Sequence, residues 1–526
     1  MVARKMTADS NTSDQILSQS PSITDPSPNS AMLDPMNSTG VDQIFDYASF
    51  MWDVGDVLQQ ASFGTGPILG LDGEDSQAGR FVRSTSTEVA IHDKSSPGTS
   101  CLTDPAPTEN HRLMDYFIHA VTPPILAEVE AQKKWLAMRQ VLVGMASASR
   151  MVRWAVLAFS NLILVRREGH WLRSQQNHYD NALAEVSSSA GAEVKDLSQR
   201  SPHRENLFAT LFLLSYVDIL EGRIEAAHSN LKRAYTIFQK GEKSEFSHVE
   251  RQFLQWLRLL DARAVSAGGE GLFLSKDDEV TLVETPPATF ESCDLSGPAK
   301  EPDGDVEDVL FQVLYQPGIV FFQKVESFMG RISLIDPWHR SRGTVEDEIE
   351  VMNIGTSIAA DLRTLYKQRP LLMDYAVAGK LTAPFVSAHL ASAVTRAFRT
   401  YLSNYYASRI HLHRVAYKTL PLTREATEAL IQIRRLARLI VETLDTDEAL
   451  PVNMLWPLLM LGSEEHNTQE RAWITAQILR MEKVAGNAKI TAQVLEEVQA
   501  RQDSTKSRVD IRSVMHAIFN SSFAIV

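Results

Sequence analysis

From His111 to the end of the chain, apolar side chains return at i, i+3 and i+4, the spacing that gathers them on one face of a helix. The pattern occupies residues 113–120, 125–146, 151–165, 207–220, 226–239 and 246–267. It resumes over 306–329, 345–367, 384–413, 424–444, 471–484, 490–501 and 509–519. The period-two alternation of a half-buried strand is almost absent. A chain patterned this way must bury helix against helix, so the spacing predicts an all-α fold with one large multi-helix body over 111–526. Pro421, Pro451, Gly462 and Gly486 fall between the periodic stretches, where helices need residues that stop or turn the backbone.

Within 203–240, two stretches of nearly equal length are separated at Glu221-Gly222-Arg223. They have the size of a tetratricopeptide unit, but no further copy follows at a fixed period, and a single helical hairpin is expected. Residues 1–108 are rich in Ser, Thr, Pro, Asp and Gly and hold few apolar clusters. They cannot bury enough surface to offset their chain entropy, which predicts a disordered tail. Residues 268–305 turn Gly-, Pro- and acid-rich and read as an acidic linker or long surface loop interrupting the body.

Charge follows this division. Residues 1–110 carry 5 Lys+Arg against 15 Asp+Glu, and 275–308 carry 2 against 11, so a chain of net charge -13 has a body of mildly positive balance. A nucleic-acid reader concentrates its cations along one face, whereas acidic tails more often recruit proteins. No apolar stretch follows Arg4-Lys5, so a secretory signal is not expected, and the apolar runs around 154–165 and 454–461 are shorter than the roughly 20 residues a membrane helix needs. Cys101 and Cys293 lie in polar stretches and are expected as free thiols inside the cell, and two cysteines cannot by themselves build a structural zinc site.

Motifs for catalysis find little support. His411 and His413 are two apart, about 200° around a helix, so they cannot share one metal ion. Asp277-Asp278-Glu279 resembles the aspartate-rich magnesium motif of helical terpene cyclases, but Thr281 stands where the third carboxylate belongs, and the run reads as a solvated loop. Gly64-Thr65-Gly66 with Gly70 has the wrong spacing for a dinucleotide loop and no strand before it. No catalytic, cofactor-binding or metal-binding residues are therefore expected. One island in the tail looks functional: residues 42–58 interleave Asp42, Asp46, Asp53 and Asp56 with Phe45, Phe50, Trp52 and Leu58. The acids would hold the bulky side chains in solution for insertion into a groove on a coactivator. The other reading is an arm that packs on its own helical body.

The C-terminal run carries a family resemblance. Leu455-Trp456-Pro457-Leu458, Glu464, Arg471, Trp473, Glu482, Gly486-Asn487-Ala488, Val494-Leu495-Glu496-Glu497, Arg501-Gln502-Asp503, Val509-Asp510, Val514-Met515 and Phe523-Ala524 follow in the order and spacing of the regulatory domain of fungal binuclear zinc-cluster transcription factors. The stretch 407–415 is a further match. Gln499 and Ile511 stand where that pattern usually has tryptophan, and Ser463 where a cysteine is common. Trp456, Leu458, Trp473, Leu479 and Leu495 are expected in the core.

The resemblance implies a predominantly helical regulatory body in a nuclear transcriptional regulator, with pathway-specific control of a metabolic gene cluster, as in secondary metabolism. The six cysteines of the family's DNA-reading cluster are not in this sequence; either the protein never had them or an upstream exon is missing from the gene. The expected partners are then a DNA-binding protein or the transcription machinery, with a small metabolite as a possible effector and no direct sequence-specific DNA binding. A cytosolic helical adaptor that kept the fold without transcription is the alternative.

Overall fold

The computed structural model describes residues 109–168, 175–192, 202–283, 311–382, 386–446 and 448–525, and every regular element among them is helical. None of these helices is long and apolar enough to cross a membrane. The first group comprises α1 (Glu109–His119), α2 (Leu136–Ala148), α3 (Arg150–Glu168), α4 (Gln175–Ala192), α5 (Pro202–Glu221), α6 (Ile224–Lys240), α7 (His248–Ala264) and the short α8 (Lys276–Leu282). α3 lies against α1, α2, α4 and α5, and α5 in turn against α6 and α7. The expected hairpin is α5–α6: Gly222 takes φ +74 at the turn, a backbone state that side chains disfavour. α7 opens on a reciprocal cap, in which Ser247 Oγ accepts from the Glu250 amide at 3.1 Å and Glu250 accepts from the Ser247 amide at 2.7 Å.

The second group is α9 (Gln316–Ser333), α10 (Val345–Lys367), α11 (Leu371–Val377), α12 (Ala388–Ala416), α13 (Arg424–Val441), α14 (Leu455–Ser463), α15 (Thr468–Arg480), α16 (Ala488–Thr505) and α17 (Ile511–Phe519). α12, about 44 Å long, is the axis; α9, α10, α11, α13 and α14 pack around it. α9 also touches α7, which joins the two groups. Close approach of α9 to α12 needs Gly318, where a Cβ would run into the Phe398 ring.

Three differences from the sequence expectation have physical causes. α4 shows few large apolar residues at helical spacing; Tyr179, Ala182 and Val186, with His178, are buried among its described residues. α14 is buried on all sides, so it has no polar face from which a period could be read. The stretch expected as linker from 268 folds as far as Val283: Phe273 and Leu274 are buried in a short turn, and α8 follows. Asp277-Asp278-Glu279 is thus helical, and Asp278 is not solvated; Tyr235, Gln239, Lys243 and Ser275 all bond its carboxylate. Residues 1–108, with Phe45, Phe50, Trp52 and Leu58, and 284–305 lie outside the described residues, as do Cys101 and Cys293.

The C-terminal signature is structural. Trp456, Leu458 and Leu495 are buried as expected, and the chain end returns inward with Phe523, Ala524 and Ile525 buried. Asn487 donates to the Ala524 carbonyl, and the Ile525 amide to Ser266 Oγ at 3.1 Å. Gly486 lies against the Arg166 guanidinium of α3, which itself bonds the Leu220 carbonyl. Trp473 and Leu479 correct the expectation: Ile474 and Ile478 fill the core side of α15, Leu479 is exposed, and Trp473 lies half-buried under the Arg438 guanidinium at 5.2 Å. We therefore expect Trp456→Ala to cost about 3–5 kcal/mol and Trp473→Ala about 1 kcal/mol, read from urea unfolding followed by circular dichroism. Equal losses would contradict this division.

Candidate functional site

The loop before α2 is built to hold its shape. The chain from Val121 to Ala127 leads through Glu128–Glu130 into a π turn, Ala131–Trp135, and then α2. The turn's extra residue rotates Trp135 inward, onto Phe117 and Trp256, with ring centroids 5.9 and 5.6 Å away. Trp135 Nε1 donates to the Val121 carbonyl at 2.7 Å, and the Ile125 amide to the buried Tyr216 hydroxyl at 3.0 Å.

Opposite this loop, α12 presents Ala393, Arg396, Ala397, Thr400 and Tyr401, one face at i, i+3, i+4 spacing. The third wall is Ala449, Leu450, Pro451, Val452 and Asn453 ahead of α14, with Val484 at the edge. The three enclose a cleft of about 430 Å³, within the range of roughly 300–1,000 Å³ typical of small-molecule sites. It exists because its walls are small: Ala127, Ala131, Ala393, Ala397 and Ala449 leave unfilled the space a leucine would take. Among the described lining residues Arg396 is the cation. Its Nη1 stands 3.6 Å from Glu128 and 3.8 Å from Glu448, beyond hydrogen-bonding distance, and its enclosed Nε has no protein partner.

The floor of the cleft is a buried polar cluster. Asn453 Oδ1 accepts from Arg263 at 2.9 Å, its Nδ2 donates to the Ile125 carbonyl at 2.8 Å, and its own carbonyl accepts from Asn404 at 2.8 Å. Behind it, Glu326 meets Arg263 at 3.2 Å, and burial pushes its carboxyl up to about 7 against the pull of Arg263 and Arg258. Asp261, two residues before Arg263 on α7, accepts the Phe273 amide at 2.8 Å, and burial raises it to about 7 as well.

A second chamber, about 70 Å³, lies beneath Trp456 and is lined by Asp336, Arg342, His411, Arg414, Asp510 and Arg512. Its size suits about two waters, and most of its charges are engaged: Arg342 on Glu348, Arg414 on Glu464, and Asp510 on Trp338 Nε1 at 3.1 Å. The two histidines diverge as expected. His413 bonds the Pro421 carbonyl at 3.0 Å, while His411 lies edge-on to Trp456, where burial lowers it to about 4 and keeps it neutral. Among the described residues no three His, Cys, Asp or Glu side chains gather as metal ligands.

The structure thus offers a cleft with largely apolar walls that can bind a small molecule, with one cation, Arg396, beside the polar side chains of Glu128, Gln132, Thr400 and Asn453. Sequence reading did not single out Arg396, Asn453 or the alanines. The one signal was the i, i+4 pair Ala393 and Ala397, which in sequence cannot be told from ordinary helix formers.

The model of the fungal specific transcription factor domain matches residues 112–523, so it spans both helical groups and all three walls of the cleft. The chain belongs to that family. No curated protein and no solved structure matches it.

The raised carboxyl of Asp261 gives a pH test. A folded-state value near 7 against roughly 3.9 unfolded means that its contribution to stability is complete below about pH 4 and is lost as pH rises toward 7. Asp261→Asn keeps an acceptor for Phe273 and removes the ionisation. Its melting temperature relative to the parent should rise between pH 4.5 and 7 and then level off; a difference independent of pH would contradict the assignment.

Proposed function

We propose that this protein is a nuclear transcriptional regulator that acts through protein partners, a DNA-binding protein or the transcription machinery, with a small metabolite as effector and a metabolic gene cluster as target. The observation that carries the reading is the family match over the whole helical body. The acidic balance of residues 1–110, and of 275–308 within the matched region, supports partner recruitment, and sequence-specific DNA binding by this chain is not part of the reading. Its role is binding rather than catalysis. Residues 42–58 are the proposed docking segment, with Phe45, Phe50, Trp52 and Leu58 supplying the inserted apolar area and the four aspartates keeping it solvated.

Fused to a heterologous DNA-binding domain, residues 42–58 should drive a reporter, and Phe50→Ala with Trp52→Ala should silence it. Asp53→Asn should act weakly, since one exposed charge contributes about 0–1 kcal/mol. A silent fusion would remove the activation segment from the account. Exclusion of the full chain from the nucleus would favour the adaptor instead.

In a gel-shift titration the purified chain should bind DNA without sequence preference and lose that binding with added salt. Selective binding at physiological salt would overturn action through a DNA-binding partner.

A further inference from the structure

We infer that the cleft between the 121–136 loop, α12 and the 449–453 loop binds an uncharged, mainly apolar small molecule that places a carbonyl-type acceptor on Arg396. Three observations carry this. The cleft holds about 430 Å³ and is walled by Pro123, Pro124, Leu126, Ala397, Leu450 and Pro451, so most of a ligand's surface would meet carbon. Its walls are held from outside: Val121 by Trp135 and Arg139, and Ile125 by Tyr216 on one side and Asn453 on the other. A ligand would therefore find a shape already formed, with little ordering cost. The third observation is Arg396 itself, the cation among the described lining residues, whose side chain stays 22% exposed and whose Nη1 makes only long contacts to carboxylates.

The charges around that handle select the ligand class. Glu128 and Glu448 stand 3.6 and 3.8 Å from Arg396 Nη1 and already offset its charge. A carboxylic acid entering the cleft would bring a third carboxylate into the group, where like charges disfavour each other. A ketone, quinone or ester oxygen would accept from the guanidinium without adding charge. A hydrocarbon would fill the space and leave the donor unpaired, and an unmade bond to a charged donor is expensive. Neutral acceptors are thus favoured over both acids and hydrocarbons of the same shape.

The inference stands on the cleft and not on the transcriptional reading; a silent reporter leaves it intact, and failure to bind leaves that reading intact. The test is calorimetric titration of the full chain with three probes of matched shape: 2-acetylnaphthalene, 2-ethylnaphthalene and 2-naphthoate. The ketone should bind saturably at one site, and the hydrocarbon and the acid about tenfold or more weakly. Arg396→Met should bring the ketone and the hydrocarbon to similar affinity. Ala397→Phe should block all three by filling the cleft, and Ala393→Leu does so independently if the first variant loses helicity. No saturable binding, equal affinity of ketone and hydrocarbon in the parent, naphthoate as the tightest probe, or binding that survives a folded cleft-filling variant would each overturn the proposal.

Discussion

One buried side chain ties the molecule together. Asn453 receives Arg263 from α7, holds the Ile125 carbonyl of the first loop, and through its own carbonyl takes Asn404 of α12. These partners lie 328, 190 and 49 residues away from it in sequence for Ile125, Arg263 and Asn404. An amide is suited to the task because it donates and accepts at once, where a carboxylate would add charge and a leucine would take their bonds from two polar groups, Arg263 and the Ile125 carbonyl. Each buried group left unpaired costs about 1–3 kcal/mol, so the cluster specifies one arrangement of the two helical groups more strongly than apolar packing alone. Arg263 and Glu326 complete it in a site where neither charge could remain single.

The cleft follows from the same arrangement. Asn453 forms part of its floor, the loop it holds forms one wall, and the residues leading into α14 form another. A molecule lodged there touches elements from both helical groups, so its binding free energy adds to the stability of their junction by mass action. That is the physical form an effector response would take in this body: bias on an interface, with no chemistry required.

Much of this fold was legible because long amphipathic helices advertise themselves. The period along 384–413 and 424–444 was read correctly, and so was the break at Gly222. What escaped was short or had no polar face or few apolar residues: α11, of seven residues, α14, buried all round, and α4, which buries Tyr179, Ala182 and Val186. Trp473 misled because size suggests burial, whereas one turn of α15 offers the core only one stripe, and Ile474 and Ile478 occupy it. The cleft was illegible for a different reason. It consists of what the alanines do not fill, and the partners that hold its walls are separated by as many as 328 residues. The charge on 268–283 also concealed structure, since Asp278 is acidic in sequence yet buried among four donors.

The tie at Asn453 is tested most directly by hydrogen–deuterium exchange on Asn453→Ala against the parent. The account predicts faster exchange in two segments remote in sequence, 121–127 and 258–266, together with 449–456, and less change in 400–408, whose bond to the backbone carbonyl of residue 453 is retained. Faster exchange confined to 449–456, with 121–127 and 258–266 unchanged, would contradict the claim that this residue joins the two helical groups.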